Sequence, residues 1–454
     1  MINFGELIGL NSKAPTRVQS VILIVIIALA AVAGGAAFFI FNDITQPAET
    51  IKIGVCADLD STIGRGVYRA ALLAAEQVNA AGGVLGRNFT IVAEDDDDEA
   101  ATVDLSVASN ALTRLITVDK ADYVISAAIG PTPVFAYQDI CAEHKMIYFG
   151  VRGGLDNFTQ RVLDNYDKYK YYFKLWSSNI TTVAAGTLGD TVALANLTGF
   201  TKVAVLGVDS ASSKQVSALL NKSLPQYGLT LVYSGYFPST TTDFTSYLAA
   251  VENSEAEILV PMITGQNAIA FVDEWHDRES PFIVFGSIAL AQDSSFWNLT
   301  QGKCEYISFA GVPVLSGYPL TNKTIPTREA YLQRWGTVIP SGAAVAAYDG
   351  IRFILPDAIK LAGTIESEAV VKALEKTDVE TSMARHFVFT SSHDLFIGAA
   401  GPNKPAESYL LVANFQFQAN GTVAITNPHE FMKETGGTFQ FPPWTGPWSN
   451  RQTP

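Results

Sequence analysis

Cysteine and histidine are scarce in this chain of 454 residues, which has three cysteines and five histidines. Cys56, Cys141 and Cys304 are too few and too scattered for a disulfide scaffold or a zinc cluster. Because Cys304 would be left over from a Cys56–Cys141 bond, buried free thiols are the favoured state. The histidines lack metal-ligand spacing, and the sequence has no G-x-S-x-G elbow or P-loop. We therefore expect no enzymatic activity, no metal site and no cofactor.

Basic residues are also few, with 30 Lys and Arg against 44 Asp and Glu and a net charge of −14. Nucleic-acid backbones bind basic surfaces, so nucleic acid is a disfavoured partner. Charged residues make up only 16% and hydrophobic residues 48%, which is too apolar for a disordered chain. The acidic run at residues 94–99 has no glycine, which a calcium loop needs, so we interpret it as a solvated turn.

One apolar run, residues 18–41, has no charge and is long enough to cross a hydrocarbon core of about 30 Å as a helix. Lys13 and Arg17 precede it, and the positive-inside rule places residues 1–17 in the cytoplasm and the rest outside. Two interpretations stay open, a cleaved signal peptide and a retained transmembrane anchor. The length favours the anchor, because the apolar core of a cleaved signal is usually about 7–15 residues long.

N-x-S/T sequons are frequent after this run. Serine and threonine at typical abundance would produce fewer by chance, so the excess predicts a glycosylated extracellular surface. The alternative is that threonine-rich loops generate sequons without selection. The predicted acceptors are Asn88, Asn157, Asn179, Asn196, Asn221, Asn298, Asn322 and Asn420.

Strand-like and helix-like patterns alternate after a linker at residues 42–50, and the rhythm restarts at Lys202. Such alternation predicts two tandem α/β units, each a parallel sheet covered by helices. A long amphipathic helix is predicted over residues 343–361, and an antiparallel hairpin over residues 409–425. Ligands of open α/β sheets bind outside the carboxyl ends of the strands, so the cleft between the units is the expected site.

The run QVNAAGGVLGR at residues 77–87, followed by a strand and an acidic turn, carries a specific similarity. With TKVAVLGVDS at 201–210 and AAYDGIRFILPDAIKLAG at 346–363, it resembles the type I periplasmic binding proteins. The similar group is the branched-chain amino acid, amide and urea class of ABC transporter substrate-binding proteins, over about residues 50–430. The N-terminus resembles the class III signals of archaeal exported binding proteins, in which the helix is kept.

The resemblance implies an α/β fold of two lobes, each with a doubly wound parallel sheet, joined by three hinge crossovers after one N-terminal helix. Lobe 1 would comprise residues 51–174 and 311–386, and lobe 2 residues 175–310 and 387–432. Residues 433–454, rich in glycine, proline and tryptophan, are predicted to form a surface tail.

In the resembled family, ligand contacts come from loops that follow strands in both lobes. The matching positions of lobe 1 are Asp60, where the family has a hydroxyl residue, and Thr132, where it has a Ser-Ser pair. Arg152 follows the fourth strand, where the family is usually small and uncharged. We interpret it as a substitute clamp for a ligand carboxylate. A solvated loop arginine or a partner for Asp60 is the alternative.

The matching positions of lobe 2 are Asp209, Thr264 and Ser287. Asp209 is the candidate for binding a ligand ammonium, with helix capping as the alternative. These departures from the family pattern argue against an ordinary branched-chain amino acid as the ligand.

The function implied by the resemblance is an extracellular solute-binding protein of an ABC importer. It would capture a small polar solute, namely an amino acid, an amide, a urea-like compound or a short peptide. It would then deliver the solute to permease and ATPase subunits. The N-terminal helix would anchor it to the extracellular face of the membrane, or cleavage would release it. The alternatives are a sensory ectodomain acting through a partner and a structural surface glycoprotein.

Overall fold

The computed structural model describes residues 50–98, 103–176, 179–263, 265–292, 295–396, 412–427 and 438–445. The predicted apolar helix at 18–41 lies outside these residues. Within them, no helix combines the length and apolarity that a membrane span requires. The described residues from Ile51 onward form one compact unit.

The first sheet is parallel, with strand order β2-β1-β3-β4-β5. Its strands are β1 (Ile51–Ala57), β2 (Phe89–Asp95), β3 (Tyr123–Ser126), β4 (Ile147–Gly150) and β5 (Tyr172–Lys174). Every residue of β3 and β4 is buried, as expected for strands covered by helices on both faces. The connecting helices are α1 (Thr62–Ala80), α2 (Leu105–Thr117), α3 (Pro131–Glu143), α4 (Asp156–Asp164) and α5 (Tyr166–Tyr169).

The second sheet has the order β12-β11-β10-β9-β8-β6-β7. Its strands are β6 (Lys202–Val208), β7 (Thr230–Phe237), β8 (Ile258–Ile263), β9 (Ile283–Ile288), β10 (Ser308–Gly311), β11 (Ala413–Phe417) and β12 (Val423–Asn427). Strands β6 to β10 pair in parallel, and β10, β11 and β12 pair antiparallel, so the predicted hairpin lies at one edge. The helices of this part are α6 (Ile180–Thr198), α7 (Ala211–Ser223), α8 (Thr245–Asn253), α9 (Asn267–Asp277) and α10 (Phe296–Leu299).

After β10 the chain returns to the first sheet, where its apolar residues share one core with β1 and α1. The helices of this segment are α11 (Pro313–Ser316), α12 (Thr324–Trp335), α13 (Gly342–Asp349), α14 (Leu355–Ala362) and α15 (Ser367–Leu374). The predicted helix at 343–361 corresponds to α13 and α14 with a π-helical segment, Gly350–Ile354, between them. Pro356, two residues after this segment, has no N–H for a regular i→i−4 bond, which accounts for the irregular turn.

The return to the second sheet comes later than residue 387, where we predicted it. Phe387 pairs with Val379 in an antiparallel bridge, and Phe387 and Leu395 belong to the core of the first lobe. Phe389 packs edge-on against Phe173 of β5, with ring centroids 5.0 Å apart. This strip of apolar side chains attaches the segment to lobe 1, and β11 is the next described strand of lobe 2.

Residues 438–445 also differ from the expected surface tail. Phe439 is buried in the core of lobe 2. The Gln416 side chain donates to the Gln440 carbonyl (2.8 Å) and accepts from the Gln440 N–H (2.8 Å). The Trp444 indole donates to the Ser280 carbonyl at 3.2 Å. This part of the C-terminal region is therefore docked on the lobe.

The QVNAAGGVLGR run ends α1 and starts β2. The Asn79 amide donates to the Phe89 carbonyl (2.8 Å) and accepts from the Phe89 N–H (2.6 Å). Gly82 and Gly83 have φ angles of 96° and 71°, which are strained for residues with a β-carbon. The motif therefore has a structural role at the junction of α1 and β2.

Candidate functional site

The loop after β1 is fixed by a buried aspartate. Asp58 Oδ1 accepts from the N–H groups of Asp60 (3.0 Å) and Ser61 (2.9 Å). Ser61 caps α1, since its Oγ accepts from the Gly64 N–H at 2.9 Å. Asp60, the predicted ligand contact, is exposed at the tip of this loop.

The acidic run is not the solvated turn that we expected, because Asp96 and Asp98 are 0% and 3% exposed. Asp98 Oδ2 accepts from the Ile129 N–H (2.9 Å), and Asp95 Oδ1 accepts from the Leu59 N–H (3.3 Å). The run thus bridges the loops that follow β1 and β3. It holds the carboxyl edge of the first sheet in place, a role that charge composition alone could not indicate.

A buried cluster lies beneath this edge. The Tyr137 hydroxyl donates a hydrogen bond to Asp96 Oδ2 (2.9 Å), and the Cys56 thiol donates one to the Tyr137 oxygen (3.5 Å). Burial raises the pKa of Cys56 and the pKa of Asp96. A protonated, buried thiol is a poor nucleophile, so this cluster has a structural role. All three cysteines are free and buried.

The other predicted residues of lobe 1 follow β3 and β4. Thr132 is exposed in the first turn of α3. Arg152 is half-buried just before Gly153, whose φ angle is 81°. Because β1, β3 and β4 are adjacent and parallel, Asp60, Thr132 and Arg152 follow carboxyl ends at the same edge of the sheet.

In lobe 2, Asp209 follows β6 and is exposed. Its carboxylate is 2.5 Å from the Lys214 ammonium, so its charge is already compensated. The cap of α7 is Ser210, whose Oγ accepts from the Ser213 N–H, and the capping role suggested for Asp209 is therefore wrong. Ser287 is half-buried in β9, and Thr264 lies outside the described residues.

A cavity of about 270 Å³, here called the arginine cavity, lies between the lobes. Ser295 contributes from lobe 2. The described lining residues include two arginines and no acid; they are Thr62, Arg65, Gly66, Arg69, Ser295, Tyr331, Thr337 and Pro340. Of the six predicted ligand contacts, the five that the structure describes are not among its lining residues. The signal that could have found it is the i, i+4 spacing of Arg65 and Arg69, which places both on one face of α1.

The two arginines are held differently. Arg65 donates to the Asp60 carbonyl at 3.3 Å, so it is tied to the loop after β1. The Arg69 guanidinium lies 5.3 Å from the centroid of the Trp335 ring, a cation–π distance. Neither contact neutralises the guanidinium charge, so the cavity is suited to an anionic group.

Buried charge also marks the crossover between the lobes. Lys174, at the end of β5, is completely buried, with its Nζ 3.6 Å from Asp394 Oδ1. Asp394 Oδ2 also accepts from Thr159 (3.3 Å) and from the Asn179 amide (3.2 Å). Burial lowers the pKa of Lys174 and raises the pKa of Asp394, because each charge has left water.

The predicted glycan acceptors divide by exposure. Asn179 is half-buried, its amide donates to Asp394 and its Oδ1 accepts from the Thr182 N–H (2.7 Å). The side chain of Asn420 is not among those described. The exposed acceptors are Asn88, Asn157, Asn196, Asn221, Asn298 and Asn322.

A protein-family model described as periplasmic binding protein matches residues 50–398. The chain belongs to the periplasmic binding protein family. The predicted class and two-lobed fold are thereby confirmed, and the family supports solute binding rather than catalysis.

Relatives of this periplasmic binding protein match most of its length at low sequence identity. The Leu/Ile/Val-binding protein homolog 7 of Brucella abortus (strain 2308) is 23% identical over 331 residues, covering 71% of this chain and 79% of the relative. A provisionally assigned branched-chain amino acid ABC transporter structure from Silicibacter pomeroyi has a TM-score of 0.74 at 17% identity, covering 87% of this chain and all of the other.

A third similar protein is the branched-chain amino acid transporter substrate-binding protein LivJ of Streptococcus pneumoniae, in complex with isoleucine. Its TM-score is 0.65 at 18% identity, covering 84% of this chain and 100% of that chain. Because these identities are low, the similarity to the two solved structures establishes the fold of this periplasmic binding protein and no more.

Proposed function

We propose that this chain is the extracellular solute-binding component of an ABC importer. It captures a small polar solute between its lobes and delivers it to a permease coupled to ATPase subunits. The observation that carries the proposal is the arginine cavity, which is lined mainly by residues of α1 and α12 in lobe 1 and by Ser295 of lobe 2. Contacts from both lobes are complete only when the lobes close, so binding favours the closed state.

Among amino acids, amides, urea-like compounds and short peptides, we propose that the solute carries a carboxylate. Arg65 and Arg69 supply two cationic groups that bind carboxylates by charge-assisted hydrogen bonds. Asp209, the candidate for an ammonium, is paired with Lys214. Amides and urea lack the group that these arginines recognise.

The test is a thermal-shift series with ligands that share one carbon skeleton. Isoleucine, 3-methylpentanoate and isoleucinamide differ only in their charged groups, and glycyl-leucine and urea extend the series. A ligand at 100 times its Kd adds about 2.7 kcal/mol, which raises the Tm of a chain of this size by about 3 °C. We expect shifts with carboxylate ligands and none with isoleucinamide or urea. Equal shifts with isoleucine and isoleucinamide would contradict the carboxylate.

Variants locate the binding. Arg65→Met together with Arg69→Met removes both charges and keeps most of the side-chain volume, and should abolish the shift. Arg114→Met is the matched control, since Arg114 lies exposed on α2 and pairs with Glu94 at 3.1 Å. A shift that survives the double substitution would place the ligand elsewhere.

We also propose that the helix predicted at residues 18–41 anchors the chain at the extracellular face, with glycans on the exposed sequons. Asn179 is the expected exception, because its amide already donates to Asp394. Glycopeptide mapping of chain recovered from the membrane fraction tests both points. Recovery of unmodified chain from the cytosol would contradict them.

A further inference from the structure

A second cavity, of about 230 Å³, lies between the antiparallel edge of the second sheet and the segment returning to lobe 1. Aromatic rings form its lobe 2 wall. The Phe309 centroid is 5.0 Å from that of Phe417 and 5.7 Å from that of Phe415, and Trp297 lies 6.4 Å from Phe417. Leu315 and Ile339 contribute apolar surface from the other side. We call this space the aromatic cavity.

Arg328 of α12 carries the one formal charge among the described residues that line the aromatic cavity. Its Nε is buried and has no hydrogen-bond partner among the described residues. Gly317 lies against the guanidinium, since a β-carbon added at Gly317 would sit 3.4 Å from Nε. Because the Arg328 side chain also lines the cavity, a small rotation of the guanidinium would let it donate charge-assisted hydrogen bonds to an acceptor that enters the cavity.

We propose that the aromatic cavity is a second ligand site, for a small carboxylic acid with an aromatic or branched apolar body. Arg328 binds the carboxylate, and the rings of Trp297, Phe309 and Phe417 pack against the body. An apolar cavity with one well-placed polar group is the usual architecture of a small-molecule site. Aromatic walls add edge and stacking contacts for a planar ligand.

This site is separate from the arginine cavity. The two share no described lining residue, and Arg328 belongs to α12 whereas Arg65 and Arg69 belong to α1. They lie on either side of residues 337–340, since Thr337 and Pro340 line one cavity and Val338 and Ile339 line the other. The second site therefore stands or falls independently of the proposed importer ligand.

The test is isothermal titration of the full chain with phenylacetate, with phenylacetamide as the neutral match. We expect phenylacetate to bind at least tenfold more tightly than phenylacetamide. Arg328→Met should weaken phenylacetate binding at least tenfold, and Arg65→Met/Arg69→Met should leave it within twofold. Val423→Phe, which fills the aromatic cavity from β12, should block binding while Arg328 stays in place.

Circular dichroism and the melting temperature show whether each variant is folded, and Val423→Phe keeps the test decisive if Arg328→Met unfolds. Loss of binding in Arg65→Met/Arg69→Met but not in Arg328→Met would assign phenylacetate to the first site and overturn the proposal. Equal affinity for phenylacetate and phenylacetamide, or no binding of phenylacetate by the folded chain, would overturn it as well.

Discussion

Gly64 shows how a single residue sets the shape of the candidate site. It lies in the first turn of α1, and a β-carbon there would sit 1.9 Å from the Asp58 carbonyl oxygen. The same carbonyl accepts from the Ser61 hydroxyl at 3.0 Å, so it has little freedom to move. The loop that follows β1 can therefore approach α1 only because residue 64 has no side chain.

We predict that Gly64→Ala destabilises the chain by about 2–4 kcal/mol, since backbone must shift to relieve the clash. Gly189→Ala is the matched control, because a β-carbon there meets nothing within 4 Å in the middle of α6. That substitution should stabilise the chain by about 0.5–1 kcal/mol through helix propensity. Urea unfolding measures both changes, and equal effects of the two substitutions would contradict the steric argument.

Asp349 gives the chain a pH dependence of its own. It is fully buried in α13, its Oδ2 accepts from the Ser382 N–H (3.0 Å), and burial raises its pKa from 3.8 to about 6. Between these values the unfolded chain binds fewer protons than the folded chain at this site. The contribution of Asp349 to stability therefore falls as the pH rises from about 4 to 6, by about 3 kcal/mol in all.

Asp349→Asn keeps the acceptor for the Ser382 N–H and removes the titration. We expect the variant to be more stable than the wild type by up to about 3 kcal/mol at pH 8 and about equally stable at pH 4. Unfolding free energies of both proteins at a series of pH values give the difference. A difference that does not change with pH would rule out Asp349 as the titrating group.

The elements of the fold follow from sequence pattern more completely than the site does. Continuous apolar runs such as Ile258–Ile263 predict buried parallel strands, and the QVNAAGGVLGR run predicts the end of α1. Asp96 and Asp98 were misassigned because their partners are distant in the chain. Local charge indicates solvent, whereas the Ile129 N–H and the Tyr137 hydroxyl that satisfy them come from other elements.

The site was harder to predict for a similar reason. Family-like loop positions pointed to Asp60 and Asp209, but the arginine cavity is formed by α1, α12, the segment after α12 and a residue before α10. Which helix faces the other lobe depends on the packing of both units, and periodicity within one helix does not contain that information. Asp60 and Asp209 lie in loops that follow strands, as expected for ligand-binding residues of α/β sheets, but they do not line the arginine cavity.

The C-terminal segment at 438–445 contributes to the core of lobe 2, although its composition predicts a surface tail. Phe439 is buried, with its ring centroid 5.2 Å from Phe441 and 6.4 Å from Phe285 of β9. We predict that Phe439→Ala lowers the free energy of unfolding by about 3–5 kcal/mol. Phe396→Ala is the control, because Phe396 is 43% exposed and should cost much less. Urea unfolding compares the variants, and similar losses would mean that the segment is not docked in solution.

At the scale of the whole molecule, the buried Lys174–Asp394 pair contributes both to stability and to the connection between the lobes. Lys174 ends β5, at the first crossover, and its N–H donates to the His393 carbonyl at 2.9 Å. The His393 ring stacks on Phe173, with centroids 4.0 Å apart. Asn179, which also donates to Asp394, caps α6 at the start of lobe 2. The pair therefore joins the last residues of lobe 1 to the first helix of lobe 2.

Lys174→Met leaves the Asp394 charge buried without its cation, and removing one partner of a buried pair costs about 3–5 kcal/mol. Because burial raises the pKa of Asp394, protonation of Asp394 at low pH removes the buried charge from the variant. We therefore predict that the loss of stability is largest at pH 8 and smaller at pH 5. Lys202→Met is the matched control, since Lys202 pairs with Glu255 in solvent and its loss should change the stability little. Lys174→Met/Asp394→Leu should recover most of the stability. Urea unfolding at both pH values measures all four proteins, and an equal loss at pH 5 and pH 8 would show that Asp394 is not the stranded charge.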